Sequence, residues 1–149
     1  MPDLHVVEEM NKEARIRDFA THFFDRMCKW ETNCADRMES VDAGDLTNDE
    51  AWRLIRVEAK EIEEQFCTEG GSELTGDAFS NFPRYDIEKI EKIDKVSEGV
   101  YRLVTTRFLP KILSEKYRYV IKEQKNESLR FASREYYSEF EDTWEIHHY

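Results

Sequence analysis

Two runs in the second half of the chain limit what it can fold into. They are FSNFPRYDIEKIEKIDKVSEGVYRLVTT, from Phe79 to Thr106, and KYRYVIKEQKNESLRFASREYYSEFEDTWE, from Lys116 to Glu145. In the second run Tyr117, Tyr119 and Ile121 alternate with Arg118 and Lys122. The turn KNES follows, and Leu129, Phe131 and Ser133 then alternate with Arg130, Ala132 and Arg134. Period-two alternation on either side of a short polar turn predicts an antiparallel hairpin with one buried face. The first run is less regular. Ile87, Ile90, Ile93 and Val96 recur every three residues, and Glu88–Lys92 and Glu91–Lys95 have the spacing of helical ion pairs. Pro83 and the turn at Ser97–Gly99 leave only a short span, however, and the partner VYRLVTTRF is rich in β-branched and aromatic residues. A strand with one bulge puts Ile90 and Ile93 on the same face, so this run is read as a second hairpin.

The first half reads as helix. Ile16, Phe19, Phe23, Met27, Trp30 and Cys34 fall at steps of three or four and form one apolar stripe, widened by Ala20 and Phe24. The helix begins near Asp3 and ends before Val41. VDAGDLTND, with Gly44 and several Asp, Asn and Thr residues, interrupts it. Thr47 and Glu50 then supply a capping box, and Trp52, Ile55, Ala59, Ile62 and Phe66 make a second stripe that ends at Gly70-Gly71. The expected architecture is α+β: a helical half over residues 3–69 packed into a strongly curved, cone-like antiparallel sheet over residues 83–146. A chain of 149 residues forms one such domain.

Charge narrows the function. The chain has 22 Lys+Arg against 33 Asp+Glu, a net of −11. That sign disfavours a nucleic-acid backbone and an anionic membrane surface as partners. No apolar run approaches the length of a membrane span. The N-terminus lacks the basic and apolar segments of a secretory signal, so the expected location is the cytoplasm. Three cysteines, Cys28, Cys34 and Cys67, without CxxC spacing argue against a disulfide framework and against zinc. Cys28 and Cys34 are expected on or near the helical core face. Two acidic runs stand out. Asp42, Asp45 and Asp49 lie in a stretch without a base, and so do Glu135, Glu139, Glu141, Asp142 and Glu145. Either run serves solubility, or it steers a basic protein partner, because opposite fields raise association rates. The spacing of the three aspartates lacks the closing glutamate of a calcium loop. No metal or cofactor is expected.

Several motifs carry a resemblance. Two helices precede F-x-x-F-P-x-Y-D, then a V-Y-R-x-V-T-T strand, a Y-x-Y-V-I-K strand and F-E-D-T-W-E. The positions are Phe82, Pro83, Tyr85, Asp86, Ile93, Val104, Thr105, Thr106, Tyr117, Tyr119, Val120 and Trp144. This order resembles the immunity proteins of the nuclear-transport-factor-2-like fold that accompany polymorphic toxins in bacteria. It covers about the last 70 residues and the helix order before them. The chain departs from that pattern in having Leu129-Arg130-Phe131 after the KNES turn, where a Trp is usual, and Asp142-Thr143-Trp144 near its end, where Gly-Lys-Trp is usual. The resemblance implies a cytoplasmic protein that neutralises one cognate toxin domain. Affinity in such a complex comes from a few desolvated anchors. The candidates are Tyr136, Tyr137, Phe140 and Trp144, interleaved with Glu139, Glu141 and Asp142. Each has a plainer reading as packing, and one of the two adjacent tyrosines has to point inward.

The same fold hosts isomerases and dehydratases that place a carboxylate with His or Tyr inside the cone. The groups for that alternative are His22, Tyr101 and Tyr119, with Asp18 and Asp25 beside His22. An enzyme needs an open cavity of a few hundred Å3 with converging polar groups, whereas an inhibitor tolerates a filled interior. A homodimer formed through the sheet is compatible with either function.

Overall fold

The computed structural model describes residues 4–68, 88–107, 115–138 and 141–146. It is an α+β structure in which two helices pack on a five-stranded antiparallel sheet that is not closed. The helices are α1 (Leu4–Asp42) and α2 (Asn48–Phe66). The strands are β1 (Glu88–Ser97), β2 (Val100–Arg107), β3 (Glu115–Glu123), β4 (Leu129–Ser138) and β5 (Thr143–Ile146), paired as neighbours in chain order.

Both helical stripes face the sheet. Ile16, Ala20, Phe23, Phe24, Met27, Trp30 and Cys34 of α1 are buried, as are Ile55, Ala59, Ile62 and Phe66 of α2. Ala51 takes the fully buried place at the head of the second stripe, and Trp52 is half-buried with the Arg56 guanidinium 5.8 Å from its ring. Gly44 adopts φ 81°, and Gly44 N donates to Val41 O while Asp45 N donates to Ser40 O. This is the glycine-closed helix end that satisfies the last carbonyls. The capping box forms as the sequence predicts. Glu50 N donates to Thr47 Oγ1 at 3.2 Å and Thr47 N donates to Glu50 Oε2 at 3.3 Å. Trp30 Nε1 donates to Ile55 O at 3.2 Å, and Glu58 accepts from Asn33 and Arg37, so the two helices are also joined by polar contacts. No described helix is long and apolar enough to cross a membrane.

Phe131 of β4 is the centre of the core. It lies 4.9 Å from Phe19, 4.5 Å from Phe23 and 5.5 Å from Tyr119, ring centre to ring centre. Thr68 N, just beyond α2, donates to Phe131 O at 2.9 Å and ties the end of the helical half to the sheet.

The strand reading of the first hairpin holds, with its bulge. Ile90 pairs with Thr105, Lys92 with Val104 and Ile93 with Leu103, so Glu91 is the extra residue and both isoleucines share a face. A second irregularity falls at Val96, which is half exposed. The helical ion pairs are not made. Lys92 instead meets Asp94 at 3.3 Å and Lys95 meets Glu98 at 3.0 Å. β4 departs from the expected alternation. Val120 pairs with Ser133 but Ile121 pairs with Phe131, so Ala132 bulges. Beyond that bulge Ser133 leaves the inner face and Arg134 enters it, 2% exposed. Regular alternation hides such a bulge because every residue keeps its polarity while its side changes. α2 ends at Phe66, with Cys67 extended, and not at Gly70-Gly71 as its composition suggests; those glycines and the F-x-x-F-P-x-Y-D motif lie outside the described residues.

Candidate functional site

The sheet has two faces with different tasks. On the inner face, toward the helices, Tyr117, Tyr119 and Ile121 of β3 are buried with Leu103 and Thr105 of β2. One end of this face is polar. Glu88 is fully enclosed and accepts from Thr105 Oγ1 at 2.6 Å, from Arg107 Nε at 3.1 Å and Nη2 at 2.9 Å, and from the Tyr119 hydroxyl. Arg107 lies 4.6 Å and Arg134 4.3 Å from the Tyr117 ring centre, and the Tyr117 hydroxyl donates to Glu115 Oε2 at 2.8 Å. Burial pushes the Tyr117 hydroxyl above the ordinary phenol range. Two arginines and two glutamates thus meet around aromatic rings in the interior. Nothing in the residue pattern marks this group, because Glu88 sits in a run that alternates charge like a solvated surface.

The groups expected for a catalytic interior do not assemble. His22 is exposed, and its Nδ1 donates to the Asp18 carbonyl of its own helix at 2.9 Å. Asp18, His22 and Asp25 share the solvent side because Phe19 and Phe23 occupy the inward side of the same turns. Tyr119 is buried, with its hydroxyl on Glu88 and its ring against Phe24 and Phe131. Tyr101 is buried at the other end of the sheet, beside the first turns of α1. Burial pushes the thiols of Cys34 and Cys67 up to about 12. No group of three His, Cys, Asp or Glu side chains suited to a metal occurs among the described residues.

On the outer face, away from the helices, β3, β4 and β5 bring a different set together. Tyr137 pairs with Trp144, and their rings lie 5.2 Å apart at 58°. Arg118 reaches from β3 with its guanidinium 4.4 Å from the Trp144 ring centre. It also holds Glu135 with two parallel bonds, Nε–Oε1 at 3.1 Å and Nη2–Oε2 at 2.6 Å. The Tyr137 hydroxyl donates to Asp142, whose φ of 52° falls in the left-handed region that Asp tolerates. Glu141, Asp142 and Glu145 are exposed, and Trp144 is half-buried. The Glu145 carboxyl is raised above its usual range by a shared hydrogen bond and like charge with Glu141. The two aromatics are therefore held beside the carboxylates of Glu135 and Asp142, while Glu145, paired with Tyr136, belongs to the other side of β5.

Tyr136 belongs elsewhere. It packs against the core with its ring 5.6 Å from Tyr117, which settles which of the adjacent tyrosines turns inward. Glu139 and Phe140 lie outside the described residues. Asp42, Asp45 and Asp49 are exposed around the α1–α2 turn, where Asp49 also places a negative charge at the N-terminal end of α2. Sequence reasoning missed Arg118 as a member of the outer cluster. Its place beside Trp144 follows only from the pairing of β3, β4 and β5. No protein-family model, curated protein or solved structure matches the chain.

Proposed function

We propose that this chain is an immunity protein of the nuclear-transport-factor-2-like kind, which binds and neutralises a basic toxin domain in the cytoplasm. The observation that carries this reading is the outer-face cluster of Tyr137, Trp144, Arg118, Glu135 and Asp142. It presents two braced rings flanked by the carboxylates of Glu135 and Asp142 on the sheet face that the helices leave open. Rings held in place beforehand lose little freedom on binding, and aromatic and arginine anchors dominate interface energies. The net charge of −11 speeds the approach of a basic surface and repels competing polyanions. The five-stranded meander with helices on one face is compatible with the cone-like arrangement that the sequence motifs suggest. An interior filled by Phe23, Phe131 and Tyr119 and by the Glu88–Arg107 pair favours a binder over an enzyme working inside the cone.

The test is co-expression with the C-terminal domain of a large secreted protein encoded beside this gene. Rescue of growth by the wild-type chain, a purified one-to-one complex, and loss of both in Tyr137→Ala/Trp144→Ala are the expected results. No rescue and no complex with the wild-type chain would sink the proposal.

A further inference from the structure

Away from the β5 face, the first turns of α1 stand beside the β1–β2 hairpin and leave a cleft of about 210 Å3. Its apolar lining is Ile16, Ile93 and Tyr101, and its charged lining is Glu8, Glu9 and Glu13 against Lys12 and Lys95. Two features mark it as unfinished. Tyr101 is only 5% exposed, and its hydroxyl is buried without a hydrogen-bond partner. Buried hydroxyls are almost always satisfied, so one that is not, in the lining of a cleft, calls for a donor or acceptor from outside. The second feature is the charge balance. The lining carries three carboxylates against two ammonium groups; Lys95 also meets Glu98 at 3.0 Å, and Glu13 also meets Arg17 at 3.8 Å. The volume falls below the roughly 300–1,000 Å3 of small-molecule sites. It suits one long side chain with an apolar stem and a cationic head.

Building on the reading of this chain as a binder of a basic protein, we propose that the cleft receives an arginine or lysine side chain of the partner. The stem lies on Ile16 and Ile93. The head donates to the Tyr101 hydroxyl oxygen and pairs with the carboxylates of Glu8, Glu9 and Glu13. The partner is thereby gripped at a second place, on the helix side of the first hairpin, and the two grips together fix its orientation.

The probe is N-acetyl-L-arginine N-methylamide, titrated into the full chain and followed by backbone amide shifts, with the norleucine compound as the uncharged comparison. The expected result is saturable shifts around Ile16, Ile93 and Tyr101 with the arginine compound and much weaker ones with norleucine. Tyr101→Phe and Glu9→Gln/Glu13→Gln should each bind the arginine compound roughly tenfold more weakly, the loss expected of a hydrogen bond to a charged group. Tyr101→Phe should also melt no lower than the wild type, because it deletes a hydroxyl that no described residue satisfies. Equal binding of norleucine, unchanged arginine binding by both variants, or no saturable shift at the cleft would overturn the proposal. The titration needs no toxin, so its failure leaves the growth test standing. Failed rescue with intact arginine binding would reject the inhibitor reading alone.

Discussion

Glu88 shows how much one side chain can depend on its neighbours. Its carboxylate is 0% exposed and the guanidinium it holds is 2% exposed. Taking two charges out of water costs several kcal/mol each, which is recovered only when geometry and further hydrogen bonds are good. Here two bonds from Arg107, one from Thr105 and one from Tyr119 converge on one carboxylate. Glu88→Ala is therefore expected to destabilise the fold by about 3–5 kcal/mol in urea denaturation, and Glu88→Gln by less. A loss below about 1 kcal/mol would mean that the Arg107 charge is met by other groups. The buried thiols give a second test at this scale. Their values rise on folding from the ordinary 9.0 to about 12, so the unfolded chain gives up those protons first. Stability is then full below about pH 9 and falls as pH rises toward 12, by about 1.4 kcal/mol per pH unit for each thiol in that window. Denaturation midpoints between pH 8 and 11 check the sign. Native Cys34 and Cys67 should also resist a thiol reagent at pH 8 until the chain is unfolded.

Among the elements, the β1 bulge and the start of α2 carry the clearest expectations. Removing Glu91 would restore the two-residue spacing between Ile90 and Ile93 without moving either from its partner. That deletion should leave the amide spectrum of β2 nearly unchanged. Thr47→Ala should cost about 1 kcal/mol by deleting the side-chain bond at the head of α2. These elements were legible because their signals are local. Helical stripes, a capping box, the break at Gly44 and two isoleucines out of phase each lie within a few residues. The inner glutamate, the turned Arg134 and the Arg118–Trp144 contact were not, because each depends on a register set between distant strands. The bulge at Ala132 reassigns every later residue of β4 while leaving no mark on its composition. Which side His22 takes is illegible for a related reason. One helical step off an apolar stripe is a boundary position, and which way it tips is decided by the packing of Phe19 and Phe23.

For the whole molecule, the question is where the negative field does its work. Acids crowd both the α1–α2 turn and the β5 side, but only the second flanks braced rings. On the proposed reading, reversing Glu139 and Glu141 to lysine, which leaves the Asp142 bond to Tyr137 in place, should slow association with the toxin domain and flatten its salt dependence. The same reversal at Asp42, Asp45 and Asp49 should change both less. Stopped-flow rates at several ionic strengths decide, and equal effects from the two sets would place the steering in the overall charge instead. Trp144→Ala should cost about 2 kcal/mol or more in affinity, the size of an anchor residue, and appear chiefly as faster dissociation.

The shortness of β5 has a further consequence. Among the described residues its four cover β4 from Glu135 to Ser138, while Thr68 fastens the same rim farther along at Phe131. A chain trimmed before Thr143 would bare a stretch of backbone able to recruit a neighbouring copy, and the remnant should precipitate or swap strands rather than stay monodisperse. The ribbon that offers Trp144 thus also covers an edge, so altering its backbone exposes what altering its side chains does not.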